Sequence, residues 1–79
     1  MNEIDNVVKE FLICIGIKNL AEVANMSNVE HNQIYRYFGG DTLPRPKTVK
    51  KIADAIGMEF KELFQLITKI YLLRRESIL

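Results

Sequence analysis

The sequence predicts an all-α domain of five helices, and three observations support this prediction. Apolar residues recur at three- and four-residue spacing along most of the chain. No stretch alternates apolar and polar residues as a half-buried strand does, and glycine, proline and asparagine separate the periodic stretches. The 79 residues are 48% hydrophobic and 27% charged, which is typical of a folded domain. We expect a single domain over residues 1–79, with no separate effector domain.

Helix 1 is predicted from Ile4 to Ile15, where the apolar side chains follow helical spacing, and Gly16 ends it. Cys14 lies in an apolar run within this helix, so we expect a buried thiol that behaves as a small hydrophobic residue. Because it is the only cysteine, neither an intrachain disulfide nor a thiolate zinc site can form.

Helix 2 is predicted to begin after Asn19, which starts a capping box. The Asn19 side chain is expected to accept a hydrogen bond from the Glu22 N–H, while the Glu22 carboxylate reaches back toward the cap. The helix is expected to end at Asn28, because asparagine tolerates the left-handed conformation that a sharp stop requires.

Glycine and proline bound the remaining helices. Helix 3 is predicted over residues 31–38, and a Gly-Gly pair closes it. After a loop at residues 41–45, Pro46 fits the first position of helix 4, where its missing N–H costs nothing. Gly57 ends helix 4, and helix 5 is predicted over about residues 59–75.

Helices 2 and 3 together have the form of a helix-turn-helix over about residues 19–38. Two short helices flank a turn of three or four residues, and the first ends on a left-handed residue. Ala24 is small where the helices approach each other, and Val29 fills the turn. The positions that match this motif are Val23, Ala24, Ser27, Asn28, Val29, Ile34 and Tyr37.

A longer pattern extends this motif to residue 64. The most specific part is KIADAIG at residues 51–57, followed by ELF at residues 62–64. The stretch from residue 23 to residue 64 resembles the Xre or lambda-repressor-like helix-turn-helix regulators without a gap. An alternative alignment begins at Leu20 and needs a three-residue insertion in the turn. The resemblance implies a compact five-helix lambda-repressor-like DNA-binding domain without a cofactor.

The resemblance also implies that helix 3 reads base edges in the major groove of double-stranded DNA. Asparagine and glutamine can pair with adenine, and arginine with guanine; the alternative is an ordinary solvated face. The residues expected to contact bases are His31, Asn32, Gln33, Tyr35 and Arg36. The residues expected to contact phosphate are Asn19, Thr42, Arg45 and Lys47.

The net charge of +1 conceals a basic segment. Residues 1–30 carry a net charge of −3 and residues 52–79 are neutral, whereas residues 31–51 carry +4. This basic segment contains helix 3 and the following loop, where the resemblance places DNA.

Helix 5 is apolar over about half of its circumference, more than one core-facing stripe requires. The core stripe is expected to contain Phe60, Leu63, Phe64 and Ile67. The excess predicts a homodimer interface formed by Leu66, Ile70, Tyr71 and Leu73, extended by Ile78 and Leu79. The alternative is a helix folded back over helix 1.

These observations predict a repressor-like, sequence-specific regulator of transcription that acts as a homodimer. The chain departs from the family pattern at Leu20, Glu30 and Asp41, which the family usually fills with glutamine, serine and a basic residue. The alternative is therefore a protein-interaction module on the same fold: an antitoxin, anti-repressor or partner-binding regulator with weak or no DNA binding.

Other classes of protein are not expected. No catalytic motif is present, so we predict no enzyme. The longest apolar run, residues 11–17, is far shorter than a membrane helix needs. Acidic residues precede it, unlike in a signal peptide. Without a disulfide framework, the chain is predicted to be cytoplasmic.

Overall fold

The computed structural model describes residues 3–78, with side chains through residue 76. The described part is helical throughout and contains no strand, so the predicted all-α fold class is confirmed. The five helices are α1 (Glu3–Ile15), α2 (Leu20–Ser27), α3 (His31–Phe38), α4 (Pro46–Ile56) and α5 (Phe60–Ile78). The predicted helix 5 ends three residues short of α5, and the other boundaries agree within one residue.

The ends of α2 follow the predicted capping residues. Asn19 has an extended backbone, and its Oδ1 accepts a hydrogen bond from the backbone N–H of Glu22 at 3.0 Å. Asn28 closes the helix in the left-handed conformation, with φ 55°. One detail differs from the prediction, because the Glu22 carboxylate accepts from the backbone N–H of Lys18, at 3.2 Å, rather than from that of Asn19. The capping box therefore ends at Lys18, one residue before the predicted Asn19.

All five helices contribute side chains to one core. Phe11 of α1 stacks on Phe38 of α3, with ring centroids 5.1 Å apart. Such a pair adds to the free energy gained by burying the two rings. The fully buried apolar residues are Phe11, Val23, Ala24, Ile34, Phe38, Val49, Ile52, Ala53, Leu63, Ile67 and Ile70.

The burial of α5 corrects three predictions. Ile70, expected in an exposed dimer interface, has 0% of its surface exposed and belongs to the core. Phe60 and Phe64, expected in the core stripe, are more than a third exposed and stack on each other instead. The reason is that α5 packs against α1, α3 and α4 together, so the buried stripe runs through Leu63, Ile67 and Ile70. The side chains of Ile78 and Leu79 lie outside the described residues.

Cys14 also corrects a prediction, because its side chain is exposed rather than buried. It follows Ile13, which is 71% exposed, and it borders an open groove between α1 and α5. An apolar run in a short helix therefore does not imply burial all around it.

None of the described helices combines the length and the apolar character needed to cross a membrane.

Candidate nucleic-acid interface

The turn between α2 and α3 consists of residues 28–30, and both apolar packing and hydrogen bonds fix its position. Ala24 of α2 is buried where the helices meet, and Val29 packs against the core from within the turn. Ser27 is buried, and its hydroxyl donates to the carbonyl oxygen of Val23 at 2.7 Å. The ammonium group of Lys51, on α4, donates to the carbonyl oxygen of Asn28 at 3.2 Å. The left-handed Asn28 and the three-residue turn agree with the gapless alignment.

The α3 helix presents one face to the core and the opposite face to solvent. Ile34 and Phe38 are fully buried, and at 100° per residue Asn32 and Arg36 point the opposite way. Both are exposed, and Tyr35 beside them is 49% exposed. The outer face of α3 thus carries an amide, a guanidinium and a phenol, all of which can donate hydrogen bonds.

The two other predicted base-contacting residues lie at the sides of this face. Gln33 is half-buried. His31 is exposed, and its Nε2 lies 2.9 Å from Oδ1 of Asn25 on α2. Because this nitrogen is occupied, His31 keeps only its second ring nitrogen for a base, unless the bond to Asn25 breaks.

The predicted phosphate contacts form two groups around α3. Arg45 and Lys47 are exposed at the start of α4, and Thr42 is half-buried in the preceding loop. Asn19 is exposed at the start of α2. Its Oδ1 is taken by the cap, which leaves the amide NH₂ to donate to an anion.

The basic side chains between residues 31 and 51 differ in whether they are bonded to other residues of the chain. Lys50 pairs with Asp54 at 3.4 Å within α4, and Lys51 bonds the turn. Within the described part of the chain, the side chains of Arg36, Arg45 and Lys47 have no hydrogen bond or ion pair. Within residues 31–51, these three are therefore the cations that a DNA backbone or a base can engage without loss of an intramolecular bond.

Two arginines that no local pattern predicts at this site lie beside the end of α3. Arg74 and Arg75, near the end of α5, bond the residues that follow α3. Arg74 is 35 residues from Gly39 in the chain, and Arg75 is 34 residues from Asp41. No local sequence signal reveals a contact at such a separation.

The outer surface of α5 carries a shallow groove of about 430 Å³. Leu72, at 54%, is its most exposed apolar residue. Of the predicted interface residues, Leu73 borders the groove, whereas Leu66 packs against the core. Tyr71 is half-buried beneath the guanidinium of Arg75, 4.1 Å from its ring centroid. The lining residues are Phe64, Gln65, Thr68, Lys69, Leu72, Leu73 and Glu76.

Comparison with known families relates this arrangement to one of them. The model of a family described as helix-turn-helix matches residues 16–63, a segment that contains α2, α3 and α4. No curated protein and no solved structure gives a significant match. The match covers more than half of the chain and includes the turn and the exposed face of α3. The chain therefore belongs to the Xre/lambda-repressor-like helix-turn-helix family of DNA-binding regulators.

Proposed function

We propose that this chain is a sequence-specific, repressor-like regulator of transcription that reads the major groove of DNA with α3. The exposed face formed by Asn32, Tyr35 and Arg36 carries the proposal. These side chains project from a helix whose other face is fully buried, so their directions are set by the core. The preorganised backbone of α3 favours base recognition, because less backbone freedom is lost on binding.

Each residue of this face has a defined chemical task. The Arg36 guanidinium can donate two hydrogen bonds to O6 and N7 of guanine, and the Asn32 amide can pair with N6 and N7 of adenine. Tyr35, His31 and Gln33 border these contacts and recognise neighbouring base edges.

Phosphate contacts on both sides of α3 orient it in the groove. Arg45 and Lys47 contact one stretch of backbone, and Thr42 adds a hydroxyl donor beside them. The amide of Asn19 and the free N–H groups at the start of α2 contact another stretch, where the helix dipole favours an anion. These contacts carry little sequence information but supply much of the affinity.

Selection of bound sequences from random double-stranded DNA tests the proposal. We expect enrichment of a short motif with two-fold symmetry, and tighter binding to that motif than to its scrambled sequence. Recovery of unenriched DNA would contradict specific reading. It would favour the alternative, a protein-interaction module on the same fold.

Replacing Arg45 with alanine is expected to weaken binding to the selected motif and to random DNA by the same factor. The reason is that a phosphate contact is lost, so the slope of log affinity against log salt concentration should fall by about one. Titrations at several salt concentrations measure both quantities. The control is Lys9→Ala, which removes one exposed cation of α1, outside the basic segment. A loss confined to the selected motif would contradict the phosphate role of Arg45.

We further propose that two copies pair through the groove on α5. The groove is bordered by apolar Phe64, Leu72 and Leu73, with Lys61 and Glu76 toward opposite ends of the helix. An antiparallel arrangement sets Lys61 opposite Glu76 of the partner subunit, so the charges at both ends are complementary. To read successive turns of DNA, a two-fold dimer needs its two α3 helices about 34 Å apart.

Replacing Leu72 with glutamate is expected to produce a folded monomer, because an unpaired carboxylate would be buried in the interface. Sedimentation equilibrium measures the mass, and circular dichroism checks the helical content. The matched control is Ile13→Glu, which adds the same charge at an exposed apolar site on α1 and should leave the dimer intact. A wild-type chain that stays monomeric at high concentration would rule out this interface.

A further inference from the structure

The end of α5 is bonded to the residues that follow the candidate recognition helix α3. Nη1 of Arg74 donates to the carbonyl oxygen of Gly39 at 3.2 Å, and its Nη2 lies 3.3 Å from Oδ1 of Asp41. Nη2 of Arg75 donates to the carbonyl oxygen of Asp41 at 3.1 Å. Two adjacent arginines thus bind both sides of Gly40. We call these three interactions the arginine clamp.

Gly40 allows α5 to come close enough for this clamp. Its φ is +81°, in the left-handed region that favours glycine. A Cβ at Gly40 would lie 2.7 Å from Cβ of Arg74 and 3.0 Å from the carbonyl oxygen of Ile70. The backbone of α5 therefore packs directly against the end of α3. Because Ile70 is fully buried one turn before Arg74, the clamp extends from a fixed part of the core.

The clamp acts on the same short segment that ends the recognition helix. The backbone N–H of Asp41 donates to the carbonyl oxygen of Arg36 at 3.0 Å, so the position of Asp41 is coupled to that of Arg36. An isolated helix of eight residues is not stable in water, so the last turn of α3 depends on tertiary contacts. Cationic groups at its C-terminal end are also favoured by the helix dipole.

The ion pair between Arg74 and Asp41 gives a structural role to Asp41, an acidic residue beside the candidate DNA surface. A carboxylate in this place would repel phosphate if it were unpaired. Within the clamp, Asp41 instead orients the Arg74 guanidinium. Its carbonyl oxygen receives Arg75, whose guanidinium also lies over the Tyr71 ring.

We propose that Arg74 and Arg75 are positioning residues for DNA recognition, which hold the end of α3 and the start of the α3–α4 loop in the arrangement that reads bases. The inference rests on the proposed function of α3. The two arginines act through Arg36 and the loop. Sequence selectivity, more than overall attraction to DNA, should therefore depend on them.

A measurement without DNA tests the structural half of this inference. In Arg74→Ala, the amide hydrogens of Gly40 and Asp41 should exchange about tenfold faster than in the wild type, since a charge-assisted hydrogen bond is lost. Amides in the middle of α4 should be unchanged and serve as the internal control. Unchanged exchange at residues 39–41 would overturn the inference, whatever the chain binds.

Binding to the selected motif and to random DNA tests the functional half. For Arg74→Ala we expect about a tenfold loss on the selected motif and about a twofold loss on random DNA. Arg74→Lys keeps the charge but cannot span Gly39 and Asp41 with a planar fork, so it should lose selectivity while binding random DNA normally. Equal losses on both DNAs for Arg74→Ala, with no loss for Arg74→Lys, would overturn the inference.

The variant Asp41→Ala distinguishes a positioning role of the clamp from simple charge repulsion, because the two predict different changes in DNA affinity. Simple repulsion predicts that removing the carboxylate tightens binding to both DNAs equally, whereas the clamp predicts a lower ratio of specific to random affinity. Because Asp41 is an exposed loop residue, this variant remains informative even if Arg74→Ala does not fold. An unchanged ratio would overturn the inference. A wild-type chain that binds no selected motif would instead refute the proposed function.

Discussion

Replacing Ile70 with glutamate is expected to unfold the chain rather than to release a folded monomer. Ile70 has no exposed surface, and removing a buried isoleucine alone costs about 2–5 kcal/mol. The glutamate adds the penalty of an unpaired carboxyl group in an apolar core. A core of this size supplies roughly 3–5 kcal/mol of net stability, so the total loss exceeds it. Circular dichroism should show no cooperative thermal transition.

The control for this prediction lies two residues further along the same helix. Leu72→Glu introduces the same charge into α5, but at a side chain that is 54% exposed. It should therefore keep a cooperative thermal transition. If Ile70→Glu melts at the same temperature as Leu72→Glu, the placement of Ile70 in the core is wrong.

Replacing Arg36 with alanine is expected to weaken binding to the selected DNA motif by about 1–3 kcal/mol, or roughly 5- to 150-fold. The reason is that the proposed bidentate contact of its guanidinium with a guanine is lost. Specificity should relax at one base pair of each half-site, while discrimination at the other positions remains. Competition titrations with single-base variants of the motif measure this pattern.

Arg36→Lys is the charge-conserving control, because an ammonium group keeps the attraction to DNA but lacks the planar fork. The lysine variant should bind random DNA as the wild type does, while discrimination at the same base pair stays impaired. Full recovery of specificity by lysine, or a uniform loss at all base pairs in alanine, would assign Arg36 to phosphate contact instead.

Much of the fold followed from local signals in the chain. Asn19, Asn28 and the Gly-Gly pair at residues 39–40 mark helix ends because their conformational preferences act within a few residues. The helix-turn-helix could be recognised for the same reason, since its left-handed Asn28 and small Ala24 are requirements of a local geometry.

For the candidate site, the sequence predicted which side chains are exposed but not which of them are bonded to other helices. The exposed positions of Asn32 and Arg36 follow from helical periodicity, given that Ile34 and Phe38 face the core. Periodicity did not reveal that Nε2 of His31 is occupied by Asn25, or that Lys51 bonds the turn rather than standing free. Such contacts depend on the relative placement of two helices.

The sequence by itself determined the fold class, the five helices, the exposed face of α3 and the basic segment around it. Each depends on local conformational preference or on helical spacing, which are readable along the chain. Only the tertiary structure decided which stripe of α5 is buried, because three helices pack against it at once. This packing buries Ile70, leaves Leu72 exposed and brings Arg74 to Asp41. Contacts between residues more than thirty positions apart arise from the packing of the whole core, which no local pattern encodes.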